Sequence, residues 1–293
     1  MDMYDCGLVL EGGGMRGVYT AGVLEFFLEK GYEFKDVLGV SAGACHACSF
    51  LSKQKGRAFR VNVDYLDDKN YGGFVILVKT GSFFNNAMLF DRIPNELDPY
   101  DYDAFRNNTS NFYAVATNCI TGRAECLKVY DMKRDIGAIC ASSSLPLMAK
   151  IVNFRGGKYM DGGIADPIPV KKSVEMGNSK NVVILTRQAG YRKEEDKSLK
   201  LIAKKYGERY PHMVAAMKRR HIVYNDTLDF IEKAEKEGSV FVIRPSGNPN
   251  IGRLEKNRKK LEKLYEMGYK DAERVNEQLF NFLENKGDGA NEV

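Results

Sequence analysis

The chain has 293 residues, 44% of them hydrophobic, and a formal net charge of +5. That apolar content is too high for a disordered chain, and the length suits one large α/β domain or one domain with an appendage. No apolar run reaches the roughly 18–20 residues of a membrane-spanning helix.

Cys6 to Glu11 is a short apolar run ending in glycines and is predicted to be a buried parallel strand. Gly12 to Gly17 reads as a tight turn. Val18 to Lys30 has helical spacing, with Gly31 as its stop. Val37 to Val40 reads as a second buried strand, and Ala42 to Lys53 as a helix. The alternation predicts a parallel α/β sheet. Phe74 to Val78, and then Phe83, Phe84, Met88, Leu89 and Phe90, are read as core, with a pocket wall or flap as the alternative.

Asn111–Asn118 and Ala124–Val129 are predicted to pair around an Ile120-Thr121-Gly122 turn. Ile136–Ala141 reads as a short helix, and Asn181–Thr186 and Ser239–Arg244 as strands. Leu199 to Met217 is helical in spacing, and Pro211 starts a new helix after Tyr210. Asn225 to Glu237 is a further helix. Residues 252–285 read as two helices divided near Gly268, and the last eight residues as frayed.

The acidic start, Met1-Asp2-Met3-Tyr4-Asp5, is unlike a signal peptide, so a cytoplasmic location is expected, with any membrane contact peripheral. Of the six cysteines, Cys45 and Cys48 form a CxxC without a second pair, which favours helix packing over zinc or redox chemistry. Residues 192–220 carry an excess of Lys and Arg. The stretch is read first as a solvated helix face and second as a contact for an anionic lipid surface; no nucleic-acid role is assigned.

Two glycine motifs carry chemistry. Gly39-Val40-Ser41-Ala42-Gly43 fits G-x-S-x-G between a predicted strand and a predicted helix, the setting in which a strained turn exposes a nucleophilic serine. Gly12-Gly13-Gly14-Met15-Arg16-Gly17 follows the first strand, where glycines can turn backbone N–H groups toward an oxyanion. The same loop matches G-x-G-x-x-G, so nucleotide or phosphate binding is the runner-up. That reading lacks an acidic residue at the end of the second strand. Of the three histidines, His46, His212 and His221, none has the setting of a catalytic base, and each is read as a surface or packing residue.

These two blocks, with Ala141-Ser142-Ser143-Ser144-Leu145-Pro146 and Asp161-Gly162-Gly163, resemble the bacterial patatin-like phospholipases in order and spacing. The matching blocks span residues 7–170, and nothing after about residue 190 matches. The resemblance implies a three-layer α/β/α fold with a mostly parallel sheet and the hydrolysis of phospholipids or other acyl esters. It implies a dyad of Ser41 as nucleophile and Asp161 as general base. It further implies an oxyanion loop of Gly12, Gly13, Gly14, Arg16 and Gly17, and neither metal nor organic cofactor. Arg16 is assigned to loop shaping before contact with a lipid phosphate. An ordinary aspartate titrates near 3.9, so Asp161 needs partial burial to serve as a base. Asp166-Pro167 reads as a turn. Residues 1–190 are expected to form the catalytic core, and 191–293 a mostly helical extension with one further strand, packed on that core.

Overall fold

The computed structural model describes residues 3–285; the fraying expected of the last eight residues falls outside them. The chain opens with β1 (Tyr4–Leu10), α1 (Val18–Lys30), β2 (Phe34–Val40) and α2 (Ala42–Leu51). Short helices α3 (Arg57–Val63), α4 (Phe74–Thr80) and α5 (Tyr102–Arg106) flank a π-helical stretch, Met88–Leu97. Then come β3 (Asn111–Asn118), β4 (Ala124–Val129), α6 (Met132–Ser142), β5 (Val152–Phe154) and β6 (Gly157–Asp161). The rest is α7 (Val170–Glu175), β7 (Asn181–Ile184), α8 (Leu199–Tyr206), α9 (Pro211–Lys236), β8 (Val240–Ile243), α10 (Arg258–Arg274) and α11 (Asn276–Glu284).

The strands form one eight-stranded sheet in the order β5-β6-β3-β2-β1-β7-β8, with β4 also paired to β3. β3, β2, β1, β7 and β8 are mutually parallel, while β4, β5 and β6 pair antiparallel. Successive side chains of a strand face opposite sides of its sheet. Leu8 and Leu10 accordingly enter one core with α1, α2, α6 and α10, while Val9 enters another with α7 and α9. Val182 and Ile184 join the first, and Val183 and Leu185 the second. The architecture is a three-layer α/β/α sandwich.

The C-terminal helices depart from the expected pattern. α9 runs unbroken for 26 residues, so Asn225–Glu237 is its second half rather than a separate helix. Pro211 begins it, where a missing N–H costs no helical bond. α10 passes through Gly268 and ends at Arg274. Gly268 serves close packing rather than a break: a Cβ there would lie 2.1 Å from the Tyr19 carbonyl, and one on Gly22 2.0 Å from the Tyr265 carbonyl. The two glycines let α1 and α10 touch backbone to backbone. Tyr19 also donates to buried Asp271 at 3.1 Å. The expectation of core for Phe74–Val78 is overturned. These residues form α4 with Phe74, Val75 and Val78 exposed, because a lone two-turn helix buries only one narrow face.

Candidate active site

β2 ends at Val40, and the chain reverses into α2 through Ser41, whose φ is 54° and ψ −120°. A non-glycine residue holds such angles only where its surroundings enforce them. Close packing supplies that force: a Cβ on Gly43 would lie 2.5 Å from the Leu10 carbonyl. The Ser41 N–H donates to Ser142 Oγ at 2.9 Å, and Ser142 donates in turn to the Val115 carbonyl at 2.6 Å.

The register of β3 brings Asp161 to this turn. A strand has two edges, and β4 covers one edge of β3 from Phe112 to Thr117. β2 covers the other up to Val115, and β6 takes over that edge from Ala116 to Asn118. β2 is parallel to β3 and β6 antiparallel, so their C-terminal ends abut. Val40 pairs with Val115 and Asp161 with the adjacent Ala116. Ser41 and Asp161, 120 positions apart in sequence, become neighbours.

Asp161 is buried and firmly held. Its N–H donates to the Ser144 carbonyl at 2.8 Å, its carbonyl accepts from Thr117 Oγ1 at 2.9 Å, and its Oδ1 accepts from the Gly163 N–H at 2.8 Å. Oδ2 is buried without a hydrogen-bond partner among the described residues. Burial pushes the Asp161 carboxyl above the usual range, while the nearby Ser41 hydroxyl and the Arg220 guanidinium pull it back. The result is a carboxylate more basic than an ordinary aspartate, with one oxygen free.

The glycine loop lies at the same edge of the sheet, since Leu10 pairs with Gly39 and with Ile184. Ligand sites of open α/β sheets gather at these carboxyl ends. Among the described residues, the N–H groups of Gly12, Gly13 and Gly14 donate no hydrogen bond, whereas Met15 donates to the Arg253 carbonyl at 3.1 Å and Arg16 to the Gly13 carbonyl at 3.3 Å. A Cβ on Gly17 would lie 2.7 Å from the Ala42 Cβ and 2.9 Å from His46 Nε2, so this glycine lets the loop lie close against α2. The unengaged donors of the loop are therefore narrower than the motif. Ala42, at the first turn of α2, adds an N–H with no intrahelical partner.

The histidines stand apart. His46 is buried, has neither ring nitrogen hydrogen-bonded among the described residues, and is pushed down to about 4 by burial, so it is neutral. His212 is exposed on α9. Asp166 donates its N–H to the Gly162 carbonyl at 2.9 Å, as a turn residue does, although burial raises its carboxyl to about 6. Cys45 and Cys48 are free thiols on α2. No group of three or more His, Cys, Asp or Glu side chains is arranged to hold a metal ion among the described residues.

Two cavities meet at Ser41. One, of about 170 Å³, is walled by Cys45, Tyr71, Phe83, Phe84, Phe90 and Ile136, among others. The other, of about 30 Å³, is walled by the glycine loop, Asp161 and basic side chains. Sequence reading missed several residues that hold the site together. Ser142 and Ser144 tie down the backbones of Ser41 and Asp161. Arg220 donates through Nε to the Gly163 carbonyl. Buried Glu11 accepts from the Thr186 N–H (2.6 Å), Thr186 Oγ1 (3.0 Å) and the Tyr224 hydroxyl (2.8 Å), clamping β1 to β7 and α9. The small-residue run at 141–146 was the one available signal for the serines; Arg220 had none.

A family model described as patatin-like phospholipase matches residues 8–172, more than half of the chain. The chain belongs to the patatin-like phospholipase family. It is accordingly a lipid acyl hydrolase. A second model, a domain of unknown function (DUF6363), matches residues 210–284. The chain is 28% identical over 244 residues to the uncharacterized protein YjjU of Escherichia coli K12, a match covering 81% of this chain and 68% of that one. It is 25% identical over 191 residues to the probable lipid hydrolase 463L of invertebrate iridescent virus 6, covering 59% of this chain and 65% of the viral protein. Among solved structures, VipD of Legionella pneumophila superposes with a TM-score of 0.51 at 14% identity, covering 94% of this chain and 67% of that chain; at this identity the likeness is one of fold. Among the described residues no helix is long and apolar enough to cross a membrane.

Proposed function

We propose that the chain cleaves fatty acyl esters of lipids, as a phospholipase A, lysophospholipase or esterase, through an acyl-enzyme on Ser41. Asp161 takes the Ser41 proton as Oγ attacks the carbonyl carbon. The N–H groups of Gly12, Gly13 and Gly14 hold the oxyanion, and Arg16 and Gly17 shape the turn that presents them. The alcohol leaves with the proton, and water, activated by Asp161, releases the fatty acid. The acyl chain lies in the apolar cavity beyond Cys45. One observation carries this reading: a buried carboxylate oxygen without a hydrogen-bond partner among the described residues stands beside a serine on a strained turn, where two strand ends abut.

Turnover of a short-chain acyl ester by Ser41→Ala and Asp161→Asn tests it, together with labelling by a fluorophosphonate. Loss of turnover in both variants and labelling that vanishes in Ser41→Ala are expected. Full activity in either variant, or unlabelled wild type, would sink the reading. The second outcome favours a glycine loop that only binds phosphate.

We also propose that residues 191–285 complete the core at 1–190 instead of folding apart from it. β8 pairs with β7, α10 packs on α1, and Arg220 of α9 reaches the Asp161 loop, which supports this. The exposed basic residues of 192–220, such as Lys200, Lys204 and Arg209, are our assignment for contact with an anionic lipid surface. Equal binding to neutral and anionic vesicles would count against that contact.

A further inference from the structure

The smaller cavity beside Ser41 gathers five cations: Arg16, Arg187, Lys193, Arg220 and Arg253. They come from the glycine loop, the segment after β7, α9 and the loop before α10. The acidic groups on the wall are Glu11 and Asp161. Glu11 is occupied by Thr186 and Tyr224, and one oxygen of Asp161 by Gly163. Of the five cations only Arg220 has an acidic partner within salt-bridge range among the described residues, Asp196 at 3.7 Å. Arg16 is 6% exposed, and its buried Nε has no hydrogen-bond partner among the described residues. Such a cluster is costly without an anion, because each charge is partly desolvated next to others of its own sign. Burial, Arg220 and Arg253 push Lys193 down to about 7, and burial with Arg187 lowers Arg16 to about 10.

Building on the assignment of Ser41 as the nucleophile, we propose that this cavity binds the phosphate of an anionic acyl glycerophosphate while its ester lies at Ser41. The cavity shares Ser41 and the glycine loop with the proposed chemistry, so the phosphate sits within a few bonds of the ester, as it does on a glycerol backbone. The two aromatic faces that could receive a quaternary ammonium are taken, Tyr191 by Arg187 at 4.4 Å and Tyr224 by Lys193 at 5.0 Å. The acyl chain enters the apolar cavity on the other side of Ser41, so one molecule spans both.

The test measures binding without turnover. An ether-linked alkyl glycerol phosphate, which has no ester to cleave, is titrated in neutral detergent against wild type and Arg187→Gln/Lys193→Gln, beside the uncharged alkyl glycerol of the same chain. The phosphate form is expected to bind wild type at least about tenfold tighter than the uncharged form, with most of that ratio lost in the double variant. Inorganic phosphate is expected to compete. Equal affinity for the two ethers, or an unchanged ratio in the double variant, overturns the proposal. Binding of inorganic phosphate without binding of the ether phosphate overturns it too and leaves a site for a free anion. Failure of the nucleophile assignment shows separately, as full ester turnover by Ser41→Ala.

Discussion

The two sides of Ser41 are built from different material. The apolar side is walled by residues such as Cys45, Phe83, Phe90 and Ile136, within the span matched by the family model. The polar side draws Arg187, Lys193, Arg220 and Arg253 from beyond that span. The first can take an acyl chain by burial alone, which is tolerant of sequence. The second sets charges by position and can discriminate between head groups. On the proposal above, the family match speaks for the reaction while the remainder of the chain selects the head group.

Removing the shared centre breaks the comparison altogether. Ser41→Ala is expected to lower kcat on any acyl ester by at least about 10⁴-fold, and Asp161→Asn by about 10²–10⁴-fold, in steady-state assays. Filling one side should separate the two. Cys45→Phe narrows the apolar cavity and is expected to cost roughly 10–200-fold in kcat/KM for long acyl chains while sparing short ones. Equal losses at all chain lengths would mean that the acyl chain lies elsewhere.

A smaller effect should come from prising α10 off α1. Gly268→Ala sets a methyl against the Tyr19 carbonyl and is expected to destabilise by about 1–3 kcal/mol in denaturant unfolding. Its functional cost should fall on head-group preference before chain-length preference, since the loop carrying Arg253 leads into α10.

The smallest effect concerns pH. Burial raises the folded-state pKa of Asp161, so kcat/KM should climb with pH through a value above the ordinary aspartate range, where the base ionises. The sign for stability is opposite. The raised pKa favours folding while the carboxyl is protonated, and this contribution is lost as pH rises through the folded value. Asp161→Asn, neutral at every pH, should have a higher Tm than wild type at pH 7 while losing most of its activity. A lower Tm would mean that the ionised carboxylate is held by more than burial allows.

Local pattern carried much of the fold. The glycine-bounded apolar run at 6–11, the helix at 18–30 and the hairpin at 111–129 stand where the sequence put them, because each is decided by short-range periodicity and turn chemistry. The β5–β6 hairpin escaped notice, since three- and five-residue strands hold too few alternations to register. α4 misled for the opposite reason. Its apolar run is genuine, but composition cannot tell an exposed helix from core. Gly268 looked like a stop because glycine weakens helices, and only the backbone of α1 lying against it explains why the helix continues.

By itself the sequence determined the strand–serine–helix turn at Ser41 and the glycine loop before α1, because steric demands on small residues are local. Tertiary structure alone decided that Asp161 lies beside Ser41, through strand ends that abut on β3. It also turned Lys193 and Arg220, which read as part of a solvated basic face, inward toward that serine. Charges separated by more than 200 positions, from Arg16 to Arg253, carry no common pattern in the chain; their meeting is fixed by the order of strands in the sheet and by α9, which packs on the Val9–Val183 face and reaches the Asp161 loop through Arg220.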